Sequence, residues 1–374
     1  MNKRIFVLSI VLIICALIGW YIYVGNQANQ ARSVQAVSVD WWNSAHADAS
    51  AEAFVHWNED EPAEIPVYCA KCHSGKAFLD YLGMDGSTAM VVDSPGAINS
   101  VITCETCHNE AADVLTMVKF PSGVELEMAT GDALCGTCHS GLSAGIAVNE
   151  TAAVFEGDDV IPESSFINPH YAFASTTHFG SEAQGGYQYD GKQYVGKFEH
   201  ADGVDTCTSC HEPHSLHMRK DYDDANLCAA CHSNVSGYED YREVFVDGID
   251  YDEDGTVEGL YHEIQGVQEI LYTAIQLYAS EVIGEPIGWT DQYPYLFKDT
   301  DGNGEIEGEE ASFPNQYTAF TARLLRTTFN MQFSIKDPAG YVHNGKYVLQ
   351  LLFDSIEDLS EVVEVGSSNL ARPE

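Results

Sequence analysis

Apolar residues are spaced in three ways along this chain, and each spacing predicts a different element. Residues 5–24, IFVLSIVLIICALIGWYIYV, carry no charge and follow Lys3 and Arg4. A membrane-spanning helix needs about 20 apolar residues, whereas the apolar part of a signal peptide runs to about 7–15. The run reads as a transmembrane anchor, basic end inside, with Trp20, Tyr21 and Tyr23 at the outer interface. The competing reading is a long signal peptide cleaved after Ala36. Two stretches alternate apolar and polar residues around turn residues: Val118–Met128 about Pro-Ser-Gly, and Tyr187–Phe198 about Asp190-Gly191. Both predict β-hairpins. Helical spacing comes last. Residues 264–284 put Val267, Ile270, Leu271, Ala274, Ile275, Leu277 and Tyr278 on one face. A second helix is predicted over Tyr317–Phe333 and a third over Asn344–Val362, with Asp337-Pro338-Ala339-Gly340 as the break. The fold class is mainly α with many loops, small β-hairpins and a C-terminal helical bundle.

The cysteines change this picture. Ten of the 11 fall into five copies of C-x-x-C-H: Cys69, Cys72 and His73; Cys104, Cys107 and His108; Cys135, Cys138 and His139; Cys207, Cys210 and His211; Cys228, Cys231 and His232. The eleventh, Cys15, lies in the apolar run. This is the attachment signature of c-type haem: two thiols add across two vinyl groups, and the next histidine is held beneath the iron as proximal ligand. Zinc sites also use C-x-x-C pairs but do not require that histidine. The pattern implies five haems c. Successive first cysteines lie 35, 31, 72 and 21 residues apart, too close for each haem to have its own protein core. A haem-stack core wrapped in loops and short helices is expected instead.

Four regions follow: residues 1–24, anchor or signal; 25–45, a polar tether; 46–236, the pentahaem domain; 237–374, cysteine-free and helical. The formal charge is −40 at pH 7. Such a surface excludes nucleic acid and suits redox partners with a basic docking face. Covalent haem places the bulk of the chain outside the cytoplasm.

Residues 299–310, DTDGNGEIEGEE, match an EF-hand loop: Asp299, Asp301 and Asn303 at positions 1, 3 and 5, Gly304 at the turn, Glu305 through its carbonyl, Ile306 at the apolar eighth place, Glu310 at the twelfth. Calcium is expected there, tying the second and third C-terminal helices together. Residues 250–261 start equally well with Asp250, Asp252, Asp254 and Gly255, but Tyr261 occupies position 12. Glu258 or Glu263 would have to substitute if a second calcium binds; the other reading is an acidic turn.

Five of the 14 histidines belong to the motifs, leaving His46, His56, His170, His178, His200, His214, His217, His262 and His343 as candidates for the sixth iron position. His214 is too close to His211 to cap the same haem, and is expected to cap a neighbouring one.

The stretches WWNSAHADASAEAFVHWNED, CHNEAADVLTMVKFPSGVELEM, GGYQYDGKQYVGKFEH, DTCTSCHEPHSL and KDPAGYVHNGKYVLQLLFDSIEDL resemble a family of exported multihaem c-type cytochromes with a helical, calcium-loop C-terminal half. The resemblance covers most of the chain after residue 40. It implies His46, His56, His170, His200, His214 and His343 as the favoured distal candidates, six for five haems, with His178, His217 and His262 less expected. GYVHNGKYVLQLL is similar, more distantly, to a haem-ligating segment of pentahaem nitrite reductases and octahaem relatives. Those nitrite reductases carry a C-x-x-C-K motif that this chain lacks. The leading expectation is an electron-transfer protein with bis-histidine haems. The alternatives are an oxidoreductase reducing a small nitrogen or sulfur compound at one open haem, and a quinol-oxidising membrane cytochrome. Cys69 lies 45 residues beyond Val24, far from the membrane for the latter.

Overall fold

The computed structural model describes residues 33–366 and 370–374, apart from 156, 202, 219–230, 234, 236–237 and 245–247. The predicted anchor at 5–24, Cys15 and Cys228 lie outside the described residues. Among the described residues, no helix is long and apolar enough to cross a membrane. The tether expected at 25–45 is not wholly irregular: residues 33–42 are helical, and Trp41 is buried.

The chain divides into two compact units. The first comprises the described residues up to Ala111 together with His211–Met218. It holds the short helices α1 (Glu52–Val55), α2 (Val67–His73), α3 (Gly75–Tyr81) and α4 (Cys104–Cys107), and the two-residue strands β1 (Glu64–Ile65) and β2 (Gly96–Ala97), paired antiparallel. Its described apolar clusters are small: Trp41, Phe54 and Ile102 in one, Ile65, Ala70 and Ala77 in another, with Phe78, Tyr81 and Leu82 also buried.

The second unit comprises Ala112–Cys210 and the described residues from 231 onward. It contains α5 (Thr130–Cys138), α6 (Gly145–Ala152), α7 (Ala174–Phe179), α8 (Cys207–Cys210), α9 (Leu260–Tyr278), α10 (Ala322–Lys336) and α11 (Gly340–Ser360). The first predicted hairpin is present: β3 (Met117–Lys119) pairs with β4 (Glu125–Glu127), Met117 opposite Glu127. The second is not. Residues 190–191 turn as expected, with Gly191 at φ 79°, but no ladder follows. Side chains take its backbone groups instead: Tyr187 N–H donates to Asn330 Oδ1 of α10 (2.7 Å), Val195 N–H to Gln350 Oε1 of α11 (2.9 Å), and Tyr189 N–H to Tyr194 Oη within the segment itself (2.9 Å). A backbone donor satisfied this way has nothing to give a partner strand.

The large core belongs to α9, α10 and α11. In α9 the buried positions Leu260, Ile264, Val267, Leu271, Ala274, Ile275 and Tyr278 recur at helical spacing; Ile270 and Leu277 flank them, half-buried. The helix starts four residues before the predicted one. It ends in one wide turn over Ala279–Ile283, closed by Gly284 in the left-handed region at φ 80°. The second predicted helix begins five residues late. Thr321 caps α10 by accepting the Leu324 N–H (3.1 Å), while Tyr317 upstream lies outside the helix and donates its N–H to the Leu296 carbonyl (2.9 Å). α11 begins at Gly340 but breaks helical geometry at Asn344 (φ −173°, ψ 71°), whose side chain caps the long part that follows by accepting from Tyr347 N–H. An unpredicted hairpin, β5 (Ile287–Trp289) with β6 (Leu296–Lys298), runs directly into the 299–310 loop.

Candidate haem and metal sites

Each motif with both cysteines described forms a helical turn: Cys69 and Cys72 in α2, Cys104 and Cys107 in α4, Cys135 and Cys138 in α5, Cys207 and Cys210 forming α8. Helix geometry puts residues i, i+3 and i+4 on one face, so two sulfurs and the imidazole project together. His108 and His139 close their turns by donating N–H to Cys104 and Cys135. None of the nine described motif cysteines is buried, although cysteine is among the most buried residue types. The sulfurs of Cys135 and Cys207, from different motifs, lie within hydrogen-bonding reach of each other, and Cys207 N–H donates to Asp132 (2.9 Å).

Three motif histidines are oriented through one ring nitrogen. Nδ1 meets the Ala53 carbonyl in His73 (2.8 Å), Ala172 in His139 (2.7 Å) and Leu216 in His211 (3.1 Å). A carbonyl only accepts, so Nδ1 carries the proton and Nε2 keeps its lone pair for a metal. Burial lowers the pKa of His73, against the opposing Ala53 bond, and His56 lowers it further. His200 is lowered by burial and by His232. Both effects favour the neutral, ligating form.

Two histidine pairs have the spacing a shared iron requires. A metal–imidazole bond is about 2 Å long and the ring centre lies about 1 Å further, so rings on opposite sides of one metal have centres about 6 Å apart. His108 and His214 are 6.1 Å apart and nearly parallel, at 15°. His200 and His232 are 6.0 Å apart at 37°. The remaining candidates differ in surroundings. His56 and His73 both stand edge-on to Trp57, at 4.9 and 5.1 Å. His46 lies 5.8 Å from Trp41. His170 takes up the left-handed region at φ 91°, uncommon for a histidine. His343 precedes the break in α11, with Nδ1 2.9 and 3.0 Å from the carboxylate oxygens of Asp337. Burial pushes Asp337 up, but the charge and hydrogen bond of His343 outweigh it and hold the carboxyl below its usual range. His178 lies near His343 and is lowered mainly by burial. His262 points Nε2, the usual metal-facing atom, at Glu243 (2.9 Å).

Three of these carboxylates escaped the sequence reading. Glu52 meets His56 Nδ1 (2.8 Å), and Glu212 meets His214 Nδ1 (3.2 Å). Their spacings, four residues on a helix and two in CHEPH, could have signalled them; Asp337, across a turn from His343, had no such signal.

The acidic loops fold alike. Asp299 accepts the Gly304 N–H (2.8 Å), and Asp250 that of Gly255 (3.0 Å). Asp301 and Asp252 accept from position 5, and Asn303 and Asp254 from position 7. In the 299–310 loop, Glu310 accepts from Thr300 (2.7 Å) and Glu307 (3.5 Å), positions 2 and 9. In the other loop Glu263, at position 14, accepts from Tyr251 (2.6 Å) and Glu258 (2.8 Å), again positions 2 and 9. Glu263 therefore takes the structural part of Glu310, and Tyr261 does not. Carboxylate oxygens of Asp299, Asp301 and Glu310 gather within 4.8 Å of one another, as do those of Asp250, Asp252 and Asp254. Ile306 packs over Gly288, where a Cβ would collide with it. Gln276 donates to the Gly304 carbonyl (2.6 Å). The loop thus docks on α9 and the β5–β6 hairpin, rather than joining the second and third helices as expected.

These features fit a multihaem c-type cytochrome, and distant relatives support that class. The chain is 24 % identical over 387 residues to the C-type polyheme cytochrome OmcC of Geobacter sulfurreducens, and 25 % identical over 377 residues to OmcB from two strains of that organism. The matches cover 85 % and 83 % of this chain but 46 % of each relative, so the chain spans about half the length of the proteins it matches. No family model matches, and no solved structure matches.

Proposed function

We propose that the chain is an exported electron-transfer protein carrying five haems c, with histidine on both faces of the irons. The observation that carries this reading is the pairing of a motif histidine with one from elsewhere at iron-spanning distance, His108 with His214 and His200 with His232. Two axial imidazoles leave no position for a substrate and favour low potentials, the properties of a conductor rather than a reductase. His46, His56, His170 and His343 are the remaining distal candidates. The adjoining sulfurs of Cys135 and Cys207 would bring two haem edges together, which shortens the electron's path. Haem attached there supplies one-electron iron chemistry; the polypeptide fixes spacing, axial ligands and surrounding charge. The two relatives bear polyheme cytochrome names, in keeping with this reading.

With a formal charge of −40, the redox partners present basic surfaces. Calcium occupies the 299–310 loop, with a second ion at Asp250, Asp252, Asp254 and Glu263. The segment 5–24 holds the protein to the membrane or directs its export. Intact-mass analysis should give five covalent haems, and low-temperature electron paramagnetic resonance of the oxidised protein only low-spin ferric signals. A stoichiometric high-spin signal would overturn the conductor in favour of a reductase with one open haem.

A further inference from the structure

We propose that Asp337 lowers the potential of one iron through the histidine it holds, and that Glu212 and Glu52 do the same more weakly. This rests on the reading of His343, His214 and His56 as axial ligands. The motif histidines His73, His139 and His211 donate Nδ1–H to neutral carbonyls of Ala53, Ala172 and Leu216. His343, His214 and His56 face a carboxylate at the same atom. A carboxylate draws on the Nδ1 proton, raises electron density at Nε2, and makes the ring a stronger donor to its metal. Its negative charge also favours ferric over ferrous iron, which carries one positive charge fewer.

Burial grades the three. The Glu52 side chain is 80 % exposed, that of Glu212 33 %, and that of Asp337 3 %. Water and salt screen the first; the last acts where screening is least. Asp337 also holds both oxygens on Nδ1, at 2.9 and 3.0 Å. Of the three irons, the one bound by His343 is the hardest to reduce.

The test is a spectroelectrochemical titration of the intact, haem-loaded chain, followed by electron paramagnetic resonance. His343→Ala identifies the iron by turning one low-spin signal high-spin; if every signal stays low-spin, the axial reading fails and the tuning with it. Asp337→Asn should leave that iron low-spin and move its midpoint positive, a tenfold change in the ferric–ferrous equilibrium being about 59 mV. Asp337→Glu should return it towards the original value. Glu212→Gln and Glu52→Gln should give successively smaller positive shifts. Five low-spin haems with unchanged potentials in Asp337→Asn overturn the proposal, as does a Glu52→Gln shift as large as that of Asp337→Asn. Should Asp337→Asn not fold, Glu212→Gln decides: no positive shift on the iron between His108 and His214 overturns it.

Discussion

His214 and His217 stand three residues apart in one short loop and do different things. His214 faces the His108 ring, whereas His217 offers its backbone carbonyl to the Glu212 N–H (2.8 Å). Replacing His214 by alanine should open one iron: a high-spin signal when oxidised, carbon monoxide binding when reduced, and the other four haems unchanged. His217→Ala should match the original protein in all three measurements. If His217→Ala instead gives the high-spin signal, the assignment of the loop is off by one turn. At this scale the five motifs were legible in the sequence, because thioether attachment demands a fixed spacing. What each ring's second nitrogen meets was not legible. The carbonyls of Ala53, Ala172 and Leu216 come from residues with no chemical signature, and only the path of the chain delivers them.

At the scale of elements, periodic apolar stripes located the three long helices, and Asp337–Gly340 separated two of them as expected. Where the reading failed, a side chain had captured the backbone. Residues 187–198 carry a sound hairpin pattern, yet Asn330, buried in α10, accepts the Tyr187 N–H and donates to its carbonyl (3.0 Å) and to Ser355 Oγ (3.0 Å). Asn330→Leu should cost about 2–4 kcal/mol in urea unfolding, because two buried backbone groups of Tyr187 lose their partner; a change below about 1 kcal/mol would mean that other groups, such as those of a partner strand, satisfy them. Loop closure was half legible for a related reason. The twelfth-position rule found Glu310, but Glu263 reaches the same backbone donors from two residues further along, on the first turn of α9. Chelation should lower the melting temperature without releasing haem. Glu310→Gln and Glu263→Gln should each remove part of that calcium-dependent stabilisation. If Glu263→Gln leaves it intact, only the 299–310 loop binds calcium.

Taken whole, the molecule distributes its apolar mass unevenly. The second unit owns a full helical core, while the first, among the described residues, has small apolar clusters such as Trp41, Phe54 and Ile102, or Ile65, Ala70 and Ala77. Attached haem would supply the first unit with most of its interior, so that unit should lose structure first when attachment is blocked. Blocking attachment exposes a further hazard. The hydrogen bond from Cys207 lowers the pKa of the Cys135 thiol, and two adjoining thiols in an oxidising compartment can crosslink. If haem attaches at the third and fourth motifs as proposed, it must reach them before the two thiols oxidise each other. Chain exported without the attachment machinery should carry a Cys135–Cys207 disulfide, visible by non-reducing peptide mapping and absent in Cys207→Ser. If both cysteines stay reduced, the neighbouring thiols pose no such risk. The closeness that would hasten an electron between two haems is, in the unfinished protein, what could lock them out.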